Sequence, residues 1–181
     1  MRELSLNILD IAQNSISAGA TLTKIRVEEN TSDKTLLVGV YDNGKGMTEE
    51  QVRNVQDPFF TTRTTRKVGM GIPLFKMAAE QTGGSFTITS QVGEGTNVEA
   101  IFKTDSIDFT PLGDVAATIA TIVCMNEEKD FIYTRKIDGA EFEFSSADIK
   151  KILDGVPLSE PSVMNWVEGY ITEQTEDLFK N

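Results

Sequence analysis

Histidine is absent from the 181 residues, and cysteine and tryptophan occur once each. Without histidine there is no imidazole for zinc or for acid–base work near neutrality, and no Cys/His grouping exists to hold a metal. The single Cys124 excludes an internal disulfide framework. Long hydrophobic runs are also missing. The longest, Val115–Met125, falls well short of the roughly 20 apolar residues that span a bilayer. The first residues enter a helical pattern carrying Glu3 and Asp10, unlike a signal peptide. The expectation is a soluble, cytoplasmic protein that uses neither disulfides nor structural zinc.

What is there begins with charge. The net charge of −11 is unevenly placed: residues 1–104 hold 12 acids and 11 bases, residues 105–181 hold 16 acids and 6 bases. A surface of that sign repels phosphate backbones and anionic lipid, so nucleic acid and membrane are poor partners for the C-terminal part. A basic protein, or plain solvent, suits it better. Apolar residues make up 39% of the chain, enough for a packed core, and the length suits one domain with a small appendage.

Between Arg2 and Ala18 apolar residues surround most of a helix, leaving a polar seam of Asn7, Asp10, Asn14 and Ser17 spaced three, four and three. Gly19 fits its C-cap. Strand-like runs follow at Lys24–Glu29 and Thr35–Tyr41, then a short helix capped by Thr48 and ending near Val55. Residues 56–68 show no periodicity and read as a mobile loop. A helix over Ile72–Gln81, with Pro73 in its first turn, ends at Gly83-Gly84, and strands Ser85–Gln91 and Asn97–Lys103 flank a glycine turn. This order predicts an α/β fold, a two-layer sandwich with helices on one face of a mixed sheet.

After Asp105 the character changes, and we expect a small, acidic α+β accessory module over 105–181, whose packing on residues 1–104 the sequence leaves open. Asp114–Met125 suits a helix or a buried strand equally. Phe131–Ile137 and Ala140–Phe144 around Asp138-Gly139 read as a hairpin. Ser145 or Ser146 can cap a helix to Asp154, and Pro161–Phe179 reads as a last helix with Val163, Trp166, Val167, Tyr170 and Ile171 on one stripe.

Three segments carry chemistry. Asp10 and Asn14 lie on an otherwise apolar helix, where burial is expensive unless something such as hydrated Mg2+ pairs with them. Asp42-Asn43-Gly44-Lys45-Gly46-Met47 follows a strand, which is also a hairpin signal. Gly69-Met70-Gly71 opens a helix, the simplest anion site, and Arg63, Arg66 and Lys67 cluster just before it. In this order the segments resemble the N, G1 and G2 boxes of the GHKL superfamily, which includes gyrase B, heat-shock chaperone ATPases, histidine kinases and MutL. The run from Asp10 to Thr21 looks like the MutL version of the N box, and Phe59-Phe60-Thr61-Thr62 resembles the F box of histidine kinases.

The resemblance covers residues 1–104 and implies the Bergerat fold with an Mg-ATP site. It implies Asn14 as magnesium ligand, Asp10 as general base toward water, and Asp42 as acceptor for the adenine amine. Gly44 and Gly46 would let the backbone approach the base, Met47 would pack on it, and Thr96 would support it through water. Phe60, Arg63, Lys67, Gly69, Met70 and Gly71 would belong to the lid and phosphate side. Two positions depart from the family: aspartate stands at position 10 where ATPase branches carry glutamate, and Ser17 stands where kinases often place a base.

With no histidine, these residues cannot form a self-contained histidine kinase. The leading expectation is a stand-alone kinase-type module, resembling anti-sigma kinases, that acts on a regulatory protein or phosphoacceptor in another chain. A slow ATPase switch and a regulatory protein that binds ATP without turnover are the alternatives, and a homodimer fits any of them.

Overall fold

The computed structural model describes residues 3–60 and 70–180. Helix α1 (Leu4–Ser17) leads into the antiparallel strands β1 (Leu22–Asn30) and β2 (Thr35–Asp42). Short α2 (Glu49–Val55) carries a full capping box, in which Thr48 and Gln51 satisfy each other's backbone amides. Helix α3 (Gly71–Gln81) precedes the pair β3 (Ser85–Gln91) and β4 (Gly95–Lys103), and β4 lies against β2. Then come α4 (Val115–Cys124), the hairpin β5 (Asp130–Ile137) and β6 (Ala140–Ser145), α5 (Ser146–Leu153) and α6 (Pro161–Phe179).

The six strands among the described residues form one mixed sheet in the order β3-β4-β2-β1-β5-β6. The residues after 105 therefore extend the same sheet: β5 runs parallel to β1, with Leu22 opposite Asp130 and Glu29 opposite Ile137. Alternate positions point to a shared core, among them Ile25 and Val27 of β1, Val38 and Val40 of β2, Ala100 and Phe102 of β4, and Phe131 and Tyr133 of β5. Helix α3 covers β3 and β4, α1 covers β1 and β2, and α4 and α6 cover β5 and β6. Phe75 of α3 meets Phe86 and Phe102 at centroid distances of 6.2 and 5.5 Å, an aromatic knot beneath that helix. No helix among the described residues is long and apolar enough to cross a membrane.

Local details refine the expectations. The ambiguous apolar run is helix α4, because the Asp114 carboxylate accepts the Ala117 amide at 2.9 Å and so caps it. The C-cap of α1 is Ala18, one residue before the expected Gly19, which follows with φ of +76°, the left-handed conformation that ends the helix. Neither Ser145 nor Ser146 caps α5 through its side chain; Ser146 Oγ instead accepts the Phe131 amide at 2.8 Å and ties α5 to β5. On α6, Val163, Val167 and Ile171 are buried as expected, but Trp166 stands at the edge of the stripe, 50% exposed.

The C-terminal part is joined to the N-terminal part by more than the sheet. The first amides of α1 have no partner inside the helix, and Leu4 and Ser5 donate to the carbonyls of Pro111 and Leu112 at 2.9 and 2.8 Å. Arg135, an inward-pointing position of β5, is buried and reaches Glu29 at the end of β1 at 3.0 Å, with its guanidinium 5.9 Å from the Phe179 ring of α6. Because the core is continuous, Ile171→Ala in α6 should cost about 2–5 kcal/mol and lower the urea midpoint of the whole chain in a single transition. Two transitions, the second unchanged from wild type, would show that the segments fold independently.

Candidate functional site

A cavity of about 240 Å³ opens where the C-terminal half of α1 meets the end of β2 and the start of α3. Its apolar walls are Ile11, Ala18, Met47, Val55, Ile72 and Val98; its polar groups are Asn14, Ser15, Ser17, Asp42, Lys45 and Thr96. Pockets that enclose a whole drug-sized ligand run to roughly 300–1,000 Å³. This one, at about 240 Å³, has room for a small flat group.

Asp42 ends β2, and both of its carboxylate oxygens are fixed. Oδ2 accepts from Ser15 Oγ at 2.7 Å, and Oδ1 accepts from the Gly44 amide at 2.8 Å. Each oxygen keeps a second lone pair for a ligand donor. Ser15 is buried at 2% exposure one residue beyond Asn14, so the helix that carries one polar group of the cavity also orients another. On the far side, Thr96 faces Asp42 across the β2–β4 ladder. Ser90 Oγ donates to the Gly95 carbonyl and accepts the Met47 amide, both at 2.8 Å, and lies 2.8 Å from Thr96 Oγ1. One serine thereby holds the backbone of Met47 and the hydroxyl of Thr96.

The loop after β2 is clamped between α1 and the β3–β4 turn. The Lys45 amide donates to the Ala18 carbonyl at 2.9 Å, and the Gly93 amide donates to the Lys45 carbonyl at 2.7 Å. Asn43 Oδ1 accepts from the amides of Thr21 and Leu22. Gly46 has φ of +69°, and a Cβ there would fall on the Gln91 carbonyl. A Cβ at Gly44 would press on Ala18 at 2.9 Å. The close approaches that require these glycines are thus to the protein's own backbone.

Asp10 is exposed beside the start of α3. A Cβ on Gly71 would lie 3.1 Å from Asp10 Cβ and 3.6 Å from its Oδ2, so glycine lets the two helices meet there. Partial burial raises the Asp10 carboxyl above its usual range. Met70, at the N-cap of α3, offers no side-chain cap and is exposed. Among the described residues no group of three or more carboxylates or thiols could hold a metal by itself. The half-buried Asn14 faces the cavity, and a side-chain amide there fits Mg2+, which is commonly held by one or two protein ligands together with phosphates and waters.

The structure therefore brings Asn14, Asp42, Gly46, Met47 and Thr96 to one cavity, with Gly44 bonded to Asp42. Asp10, Met70 and Gly71 do not line it, although Asp10 meets Gly71 next to Ile72 of the cavity wall. Phe60 does not line it. Phe59 and Phe60 sit in a turn held by Asp57, 90% and 47% exposed, and so do not anchor their loop in the core. Arg63, Arg66, Lys67 and Gly69 lie outside the described residues. Ser15 and Ser90 carry no expectation from the sequence; a serine on an apolar helix flank, one place after Asn14, is the only local sign of the first.

The chain is 31% identical over 91 residues to Sporulation kinase D of Bacillus subtilis, covering 50% of this chain and 18% of that protein. It is 34% identical over 101 residues to Sensor protein SrrB of Staphylococcus aureus, covering 53% and 17%. The chain thus spans less than a fifth of the length of these relatives. Among solved structures it resembles the Aquifex aeolicus MutL ATPase domain complexed with ADP, at TM-score 0.50 and 18% identity over 85% of this chain and 70% of that one. It also resembles the N-terminal domain of a DNA repair protein, at TM-score 0.58 and 13% identity over 79% and 52%. The family model described as histidine kinase-, DNA gyrase B- and HSP90-like ATPase matches residues 1–106, more than half of the sequence, and the chain belongs to that family.

Proposed function

We propose that this chain binds Mg-ATP in the Asp42 cavity and passes phosphate to a protein partner as a kinase-type catalytic module. The observation that supports nucleotide binding is the Asp42 carboxylate, fixed by Ser15 and Gly44 at the wall of a slot whose other side is apolar through Ile11, Met47, Ile72 and Val98. An adenine amine can donate to its free lone pair, whereas guanine presents an oxygen acceptor at that place. Met47 and Ile72 would sandwich the ring, and Thr96 would reach it through water. Asn14 would ligate the magnesium, which neutralises the phosphates when bound. Arg63, Lys67, Gly69 and the amides at the start of α3 would hold the phosphates themselves, with Phe60 at the base of the lid.

The kinase assignment is supported by likeness to Sporulation kinase D and SrrB over the matched region. Since none of the 181 residues is histidine, an acceptor histidine belongs elsewhere. A second reading, slow hydrolysis, is favoured by Asp10, which stands beside the start of α3 with a raised proton affinity suited to a general base. Incubation with γ-labelled ATP and co-purified proteins separates them. Label on a second protein supports transfer, free phosphate alone supports hydrolysis, and neither leaves a nucleotide-gated binder.

Asp42→Asn should weaken ATP by about ten- to a hundredfold, the worth of a charge-assisted hydrogen bond. Ser15→Ala, which frees one carboxylate oxygen, should weaken it by less, and ATP should be preferred to GTP throughout. Calorimetric titration checks all three, and unchanged affinity in Asp42→Asn would reduce that residue to a turn former.

If Asp10 is the base, Asp10→Asn should abolish turnover while ATP binding holds or tightens, because a negative charge near the phosphates is removed. Burial raises the Asp10 pKa, so the carboxylate is protonated earlier as pH falls, and the acid limb of turnover should lie above the ordinary aspartate value. Wild-type hydrolysis by the variant, with the same acid limb, would remove Asp10 from the chemistry.

A further inference from the structure

An apolar groove between α5 and α6 lies well outside the nucleotide cavity and beyond the residues matched by the family model. Ile149, Ile152, Leu153, Val163 and Trp166 line it with Ser162, around a volume of about 230 Å³. Two of its walls face water, Ile152 at 76% and Trp166 at 50% exposure. Single exposed apolar residues are ordinary, but these converge on one concavity. The tryptophan is also held still: its ring stacks on Tyr170 at 5.1 Å and 6°, and Tyr170 meets Phe142 of the edge strand β6 at 5.7 Å. A rigid, half-exposed aromatic beside a pocket is the type of anchor that concentrates binding energy.

Charge selects the occupant. From β6 onward, residues 140–180 carry nine carboxylates and three lysines. Lys150 is engaged by the Lys129 carbonyl and Asp130, and Lys180 by Asp177, which leaves Lys151. Helical spacing sets Asp148 one turn before Ile152 on α5 and Glu173 two turns after Trp166 on α6, while Glu160 directly precedes α6. Two copies meeting through this face would oppose like charges, and an anionic lipid surface or nucleic acid would be repelled. We propose that the α5–α6 groove docks a basic amphipathic helix of another protein. One large apolar side chain of that helix fills the space between Ile152 and Trp166, and its lysines or arginines face Asp148, Glu160 and Glu173.

Trp166 is the only tryptophan, so its emission reads the groove directly. Titrating the full chain with a synthetic helical peptide of leucine and lysine in amphipathic order should shift that emission to the blue, saturably, with affinity falling as salt rises. Ile152→Asp, at a largely exposed position, should keep the native circular dichroism and weaken the peptide by at least about tenfold, the loss of one interface anchor. Asp148→Lys combined with Glu173→Lys should weaken it and flatten the salt dependence. The proposal is overturned if Ile152→Asp binds the peptide as wild type does, or if a lysine–serine peptide of equal charge produces the same shift. It is also overturned if sedimentation finds a dimer of the chain alone that Ile152→Asp dissolves, since the occupant would then be a second copy.

Discussion

Leu4, Ile8 and Ala12 of α1 are fully buried, and their burial against the sheet fixes the rotation of that helix about its axis. Successive residues turn by about 100°, so locking one flank leaves no freedom for the others. Asn14 is thereby aimed into the cavity, Ser15 toward Asp42, and Asp10 toward Gly71 of α3. A slip of one residue would put isoleucine at the carboxylate and serine into the core. The precision of the polar site is thus a by-product of apolar packing, which is how proteins usually position functional groups.

The same helix is held at its ends by different parts of the chain. Its first amides reach the carbonyls of Pro111 and Leu112, in the segment between β4 and α4, and the Ala18 carbonyl at its other end accepts from Lys45 in the loop after β2. Side-chain Asp42 and main-chain Lys45 therefore grip α1 from the same loop, and the loop in turn leans on the β3–β4 turn through Gly46 and Gly93. Loosening any of these contacts moves the cavity wall as a unit.

Much of this was legible in the sequence because it is encoded locally. The polar seam of α1, the Thr48 cap, the strand pairs around their turns, and the last helix all have short-range signals, and each lies within a residue or two of its expected limits. Residues of α1, of the loop after β2 and of the first turn of α3 line one cavity, although they are far apart in the sequence. What could not be read is long-range. Parallel pairing of β5 with β1 leaves no mark in either strand, so the sequence does not reveal that the strands after 105 continue the sheet. Arg135 occupies an inward position because Glu29, more than a hundred residues earlier, is there to meet it. Ser15 drew no attention because its function depends on Asp42, which only the fold brings near.

The parallel pairing also sets an order of events. Leu22 waits for Asp130, 108 positions later, so the inner edge of β1 has no strand beside it until most of the chain has been made. Closing so long a loop is entropically costly, and contacts of that separation slow folding relative to hairpins. Nascent chains that have completed β4 therefore carry an open sheet edge in what will become the middle of the sheet, the feature most prone to pairing with the wrong molecule. The hairpin of β5 and β6 acts in this sense as a late internal seal.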